Sequence, residues 1–174
     1  GKWELDEEST QYGVNGGDRF GQAVAIYGNY AIVGATAYNA GAGAYQGAAY
    51  FYQRNRDGKW ELDEESTKYG ENGSDYFGAS VAIYGNYAIV GAYGYNAGTG
   101  RGAAYFYQRN RDGKWELDED STKYGESGGD LFGSSVAIYG NYAIVGAQRY
   151  DGKAAIQGAA YFYQRNRDGK WELD

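Results

Sequence analysis

Three copies of one unit make up this chain of 174 residues, and this repetition constrains its fold more than any other feature. The string GKWELD begins at residues 1, 58, 113 and 169. Two longer blocks recur unchanged: VAIYGNYAIVGA begins at residues 24, 81 and 136, and GAAYFYQRNRDGKWELD at residues 47, 102 and 158. We therefore predict repeats at 1–57, 58–112 and 113–168, with 169–174 as an extra copy of the last segment.

The sequence of each unit predicts four antiparallel strands. In the first unit they span Phe20–Tyr27, Tyr30–Ala35, Ala48–Arg54 and Lys59–Glu64. Gly28-Asn29 predicts a two-residue hairpin turn, and Asp57-Gly58 predicts a type I′ turn. The apolar runs are short, rich in Tyr, Val and Ile, and interrupted by glycine, which argues against helices. Because strands one to three are apolar at nearly every position, each sheet should be covered on both faces. Repeated four-stranded sheets of this kind predict an all-β propeller.

The segments FGQAVAIYGNYAIVGA, FGASVAIYGNYAIVGA and FGSSVAIYGNYAIVGA, each followed by GAAYFY, resemble FG-GAP repeats over nearly the whole chain. Such repeats are the blades of integrin α-subunit-type propellers and of many bacterial extracellular proteins. The resemblance implies an extracellular β-propeller. It also implies that partners bind the face carrying the second-to-third and fourth-to-first loops. Integrin-type repeats often hold calcium between strands one and two, but here that loop is only Gly28-Asn29, so the site does not carry over.

The composition excludes several chemistries. The chain has no Cys, Met or His, so it cannot form disulfides or the usual zinc, copper and haem ligand sets. Asn55 and Asp57 match half of a calcium loop, but Arg54, Arg56 and Lys59 would repel a cation. No pair of carboxylates stands out for catalysis. The recurring Asp18, Asp75 and Asp130 before the FG pairs could surround a central channel, but a turn or capping role is the favoured interpretation. We therefore predict no metal, no cofactor and no enzymatic activity.

The charge and hydropathy of the chain argue against two classes of partner. A net charge of −7 argues against nucleic acid, and the absence of an apolar run of about 18 residues argues against membrane insertion.

Three blades are too few for a ring, because propellers have roughly four to eight. The end blades would expose faces rich in Val, Ile and Tyr, so we expect further copies of the chain, or a longer array, to complete the ring. Opposite charges on the two ends of the disc also suggest head-to-tail stacking into filaments.

The copies differ mainly in the loop between strands two and three, at residues 36–46, 93–101 and 148–157. These loops mix Tyr, Gly and polar residues as antibody paratopes do, although loop filling without function is the competing interpretation. Together with the variable position before each FG pair, they predict one contact face. The residues predicted to bind a ligand or partner there are Arg19, Tyr38, Asn39, Tyr45, Tyr76, Tyr93, Tyr95, Asn96, Arg101, Leu131, Arg149, Tyr150 and Asp151.

The sequence thus indicates a non-enzymatic binding or self-assembling structural repeat protein. A carbohydrate-binding module is one alternative, since aromatic and polar loops suit sugar rings. A recently amplified or engineered repeat without an evolved ligand is another, because long blocks are copied without change. A glycan or a protein remains open as the ligand of the loop face.

Overall fold

The computed structural model describes residues 7–96 and 100–174, and within these ranges the chain forms three antiparallel sheets, here called blades 1 to 3. Blade 1 contains β1 (Phe20–Tyr27), β2 (Tyr30–Ala35), β3 (Ala48–Arg54) and β4 (Trp60–Tyr69). Blade 2 contains β5 (Ser80–Tyr84), β6 (Tyr87–Ala92), β7 (Ala103–Arg109), β8 (Trp115–Leu117) and β9 (Lys123–Tyr124). Blade 3 contains β10 (Phe132–Tyr139), β11 (Tyr142–Ala147), β12 (Ala159–Arg165) and β13 (Trp171–Leu173). Two 3₁₀ turns span Glu7–Ser9 and Glu119–Ser121.

This architecture confirms the predicted all-β fold of propeller-like repeats, with the strands of each blade in sequence order. The C-terminal GKWELD copy supplies the fourth strand of blade 3, where β13 pairs with β12. The first GKWELD copy, at residues 1–6, and residues 97–99 of the second variable loop lie outside the described residues.

The fourth strand of blade 1 is longer than the sequence predicts. After a register shift between Ala49 and Phe51, the polar stretch beyond Glu64 pairs again with β3, so that Tyr69 lies opposite Ala48. In blade 2 the same stretch is divided into β8, a 3₁₀ turn and β9, and β9 pairs with β7. Polar residues without apolar alternation give no strand signal, but their backbone groups still complete the ladder.

The two tight turns lie at one end of each blade, here called the turn face. Gly28 has φ of 57° and joins the paired residues Tyr27 and Tyr30, as in a type II′ turn. The predicted type I′ turn at Asp57-Gly58 is wrong, because Gly58 has positive φ but Asp57 does not. The Asn55 Oδ1 atom accepts the N–H groups of Asp57 (3.0 Å) and Lys59 (2.9 Å), which favours a type I turn followed by a left-handed glycine.

Among the described residues, two of the three buried apolar clusters lie between blades, and the third, which includes Tyr50 and Tyr52, lies within blade 1. Between blades 1 and 2, Phe51 stacks on Trp115 with ring centres 5.4 Å apart. Between blades 2 and 3, Phe106 packs on Trp171 at the same 5.4 Å. Since the sequences at the two junctions are nearly identical, the chain builds one apolar interface twice.

A glycine sets how closely the blades approach. A Cβ atom on Gly34 would overlap the carbonyl oxygen of Gly78 in the next blade, and one on Gly91 would overlap that of Gly133. The equivalent Gly146 in blade 3 has no atom of another blade nearby, and the nearest atoms belong to Ser135 on the neighbouring strand β10. The glycine of the IVGA block is therefore a requirement of blade-on-blade contact.

We expect Phe106→Ala to destabilise the chain by about 3–5 kcal/mol, because it removes a buried ring between two blades. The matched control is Phe162→Ala, at the equivalent position of blade 3, where the ring is 55% exposed. In the dilute single chain this control should change stability by only about 0.5 kcal/mol. Urea unfolding followed by tryptophan fluorescence measures both, and equal losses would contradict the two-junction core.

Candidate functional site

The variable loops lie at the end of the blades opposite the turns, here called the loop face. Tyr38, Tyr95 and Tyr150 occupy equivalent positions in them, three residues after the IVGA alanine. Tyr38 stacks on Tyr69 (5.4 Å) and Tyr95 lies against Tyr124 (5.2 Å), so the loops of blades 1 and 2 are held against the segment at the end of strand four. Tyr150 lies edge-on to Tyr161 of its own blade. These tyrosines thus have a packing role that composition did not reveal but their constant spacing could have signalled. Their part in binding a ligand stays a prediction.

Four predicted contact residues come together where the loops of blades 1 and 2 meet. Tyr76 is the centre of this aromatic stack, with Tyr45 at 5.2 Å and Tyr93 at 4.8 Å between ring centres. The guanidinium of Arg19 lies 5.5 Å from the centre of the Tyr45 ring. Burial is the main reason that the pKa of Tyr93 lies above its ordinary value. The cluster offers rings and one cation at the loop face.

The position before each FG pair has an unusual backbone. Arg19, Tyr76 and Leu131 have φ of 57°, 52° and 55°, in the left-handed region that side chains other than glycine rarely adopt. The repeat therefore imposes the same strained backbone on three different side chains. The backbone conformation at this position is therefore constant, while the side chain differs between the three repeats.

Two of the other predicted contact residues, Asn39 and Asp151, bond within their own loops. Asn39 Oδ1 accepts the N–H of Gly41 (2.8 Å), and Asp151 Oδ1 accepts that of Ile156 (2.6 Å). Arg101 Nε donates to the carbonyl of Gly125. Asn96 and Arg149 are exposed on the loops of blades 2 and 3. Arg149, Tyr150 and Asp151 lie on the blade 3 loop rather than in the aromatic stack.

The recurring aspartates before the FG pairs hold turns, as their sequence context predicts. The buried carboxylates of Asp18, Asp75 and Asp130 accept backbone N–H groups three residues upstream at 2.9, 2.8 and 3.0 Å. Burial raises the pKa of Asp75 above its ordinary value. Within residues 7–96 and 100–174, no group of three or more acidic side chains could hold a metal ion. Over the same ranges, no helix has the length and apolarity needed to cross a membrane.

A second candidate surface consists of the two blade faces that have no neighbouring blade. On the blade 1 open face, Val24 is 68% exposed, whereas the equivalent Val81 in blade 2 is 9% exposed. This face contains a groove of about 610 Å³ lined by apolar side chains that include Phe20, Tyr52 and Trp60. On the blade 3 open face, Phe162 is exposed although its equivalent Phe106 is buried. Side chains that form the core between blades are thus left in water at both ends.

An ionic clamp crosses each junction near the outer strands. Lys114 Nζ lies 2.8 Å from Asp63 and 3.1 Å from Glu65 of the preceding blade. Lys170 repeats the contact with Asp118 (2.7 Å) and Asp120 (3.0 Å). Burial alone would raise the pKa of Asp63, but the hydrogen bonds from Lys114 and Ser66 and the Lys114 charge outweigh it and lower the pKa. The pKa of Asp118 is lowered in the same way, because the contacts with Lys170 and Ser121 outweigh the effect of burial.

Comparison with known proteins agrees with the geometry. The family model described as FG-GAP repeat matches residues 3–52, 64–107 and 122–163. These three segments correspond to the three blades and cover most of the chain. No curated protein matches the chain.

We expect Asp63→Asn and Asp118→Asn to lower Tm at neutral pH. In these variants Tm should also fall less than in the parent as the solution is acidified. Folding lowers the pKa of each aspartate below its ordinary value of 3.8. Each ionised aspartate therefore stabilises the fold at pH values above 3.8, and this stabilisation is lost as the pH falls through 3.8 to the lowered pKa and below. The exposed Glu64→Gln is the matched control. Thermal melts from about pH 7 to pH 3 test this, and a variant that keeps the parent's full acid sensitivity would contradict a role for the clamp.

Proposed function

Since the chain belongs to the FG-GAP repeat family, we propose that it is a non-enzymatic assembly unit that joins further copies of itself through its open blade faces. Repeats of this family generally have binding or structural roles and occur in extracellular proteins. We extend both properties to this chain. The observation that carries the proposal is that each open face repeats a surface that is buried elsewhere in the same chain.

The accessible surface supports this proposal. The chain exposes 9876 Å², whereas a compact monomer of its 19.0 kDa mass should expose about 8400 Å². The excess is about 1500 Å², close to two halves of a standard interface at roughly 800 Å² each. The surplus surface is therefore of the size that two intermolecular junctions would cover.

The chemistry of the two faces favours a second copy over an unrelated partner. The blade 1 open face has the residues with which blades 2 and 3 meet their predecessors, and the blade 3 open face has the residues with which blades 1 and 2 meet their successors. The two faces are therefore already counterparts. Two copies provide six blades, within the roughly four to eight of known propellers, whereas three copies would exceed that number.

The loop face has a separate part in this proposal. The strands of the three blades are almost identical, while the loops at 36–46, 93–101 and 148–157 differ in length and sequence. An assembled disc would present all of these loops on one side. We assign them to contacts with a ligand of the assembly.

Light scattering after size exclusion tests the proposal directly. We expect a particle of about 38 kDa, twice the 19.0 kDa chain, and larger salt-sensitive species if discs also stack. Phe162→Asp should shift the particle to the single chain, because it places a charge in the apolar junction. Gln148→Asp, which adds the same charge on an exposed loop residue, should not. A single 19.0 kDa species throughout the micromolar range would contradict self-assembly.

Carbohydrate binding is the second candidate function, favoured by the rings of Tyr45, Tyr76 and Tyr93 beside Arg19 at the loop face. We expect a glycan array to show ligands whose binding falls about tenfold or more with Tyr76→Ala. Tyr139→Ala, at an exposed tyrosine on the turn face, is the control. An array without hits, or equal effects of both variants, would exclude this function for the stack.

A further inference from the structure

We infer that two copies close a six-bladed ring, in which the blade 3 open face of each copy meets the blade 1 open face of the other in the register already used inside the chain. This inference rests on the proposed self-assembly and adds its geometry. Four contacts that occur twice within the chain each leave one unmatched half on the blade 3 side and one on the blade 1 side.

The first contact is between aromatic rings. Phe51 packs on Trp115 and Phe106 on Trp171, both with ring centres 5.4 Å apart. The third phenylalanine, Phe162, is exposed on blade 3, and Trp60 lines the groove on the blade 1 open face. In the ring, Phe162 enters that groove and packs on Trp60 of the partner subunit.

The second contact joins an arginine to a tyrosine at the turn face. Arg109 Nη1 donates to the Tyr30 hydroxyl (2.6 Å), and its guanidinium lies 4.2 Å from the ring centre. Arg165 makes the same contacts with Tyr87 at the same distances. Arg54 is exposed and donates to Gly58 of its own turn, while Tyr142 is 56% exposed. The ring would bring Tyr142 to Arg54 of the partner subunit.

The third contact is the tyrosine pair of the loop face. Tyr38 and Tyr95 each lie against a tyrosine of the segment that follows strand four, Tyr69 and Tyr124. The equivalent of Tyr69 and Tyr124 before blade 1 is Tyr12, which is 83% exposed. Tyr150 is the equivalent of Tyr38 and Tyr95, and it lies edge-on to Tyr161 of its own blade. Ring closure places Tyr12 of the partner subunit against Tyr150.

The fourth contact is the close approach of glycines. Gly34 and Gly91 lie so near the carbonyls of Gly78 and Gly133 that a Cβ atom would overlap them. Gly146 lies on the blade 3 open face, and the equivalent of Gly78 on blade 1 is Gly21, which has open space around it. The ring would place Gly146 against Gly21 of the partner subunit.

These four half-contacts select a closed arrangement of two copies. All halves on blade 3 find their counterparts on blade 1, so a two-fold rotation that moves each blade by three positions satisfies both junctions at once. An open head-to-tail polymer would satisfy the same contacts but would leave unmatched faces at its ends. A ring of two copies has six blades, which is within the usual propeller range.

Cross-linking in this cysteine-free chain tests the register and the closure together. We would combine Tyr12→Cys with Tyr150→Cys and treat the protein with a short bismaleimide. Denaturing electrophoresis should then show a covalent species of about 38 kDa, twice 19.0 kDa, and nothing larger. The matched control combines Tyr38→Cys with Tyr69→Cys, which should gain one linker within a single chain because those rings already stack.

Each other outcome overturns the ring in a distinguishable way. A ladder of trimers and larger species would show an open polymer. A native particle of two copies without the cross-link would show self-assembly in another register, which leaves the proposed function standing. A single chain in solution before cross-linking would overturn both the ring and the proposed function.

Gly146→Ala gives a second test that does not depend on a reagent. The added methyl group should weaken dimerisation by about tenfold or more, while Tm of the dilute single chain stays unchanged, because only the Ser135 hydroxyl must move. Gly34→Ala should instead lower Tm at every concentration, because it separates blades 1 and 2. Dimerisation of Gly146→Ala equal to that of the parent would overturn the proposed register.

Discussion

Contact between the faces of neighbouring blades is the interaction on which this structure depends. A single blade is apolar on both sides and cannot bury its own Val, Ile and Tyr side chains, so its stability comes from its neighbours. Blade 2 has two neighbours, and Val81 and Phe106 on its opposite faces are both buried. Blades 1 and 3 have one neighbour each and keep one apolar face in water. Folding and assembly of this chain therefore use the same interface.

The repeats predicted the local structure well and the long-range contacts poorly. Gly-Asn between apolar runs located the first hairpin, and the first three strands of blade 1 have the predicted bounds. The extension of β4 to Tyr69 gave no apolar signal, since it is stabilised by backbone pairing with β3. The clamp between Lys114 and Asp63 joins residues 51 positions apart, and such pairs depend on the stagger between blades, which no local pattern encodes.

The candidate site was predictable only in part, for a related reason. Composition selected the loop tyrosines as a group, but the fold divides them between two roles. Tyr38 and Tyr95 hold their loops against the blade edge, whereas Tyr45 and Tyr93 meet at Tyr76 on the loop face. Position within the repeat separates these roles better than residue type, because a constant spacing indicates scaffold and a variable one indicates surface.

Near-identical junctions also decide between a closed ring and an open chain of copies. Inside one chain, neighbouring blades are held at the high effective concentration of a short linker, so the two internal junctions form first. Joining two copies costs translational and rotational freedom only once, a free energy of about 4–15 kcal/mol. An open pair gains one junction for that cost. A ring gains a second, near-identical junction without a further association step, because its two faces are already held together by the first. Repeats this similar therefore favour closure wherever the blade angle permits it, and six blades lie within the usual range of propellers.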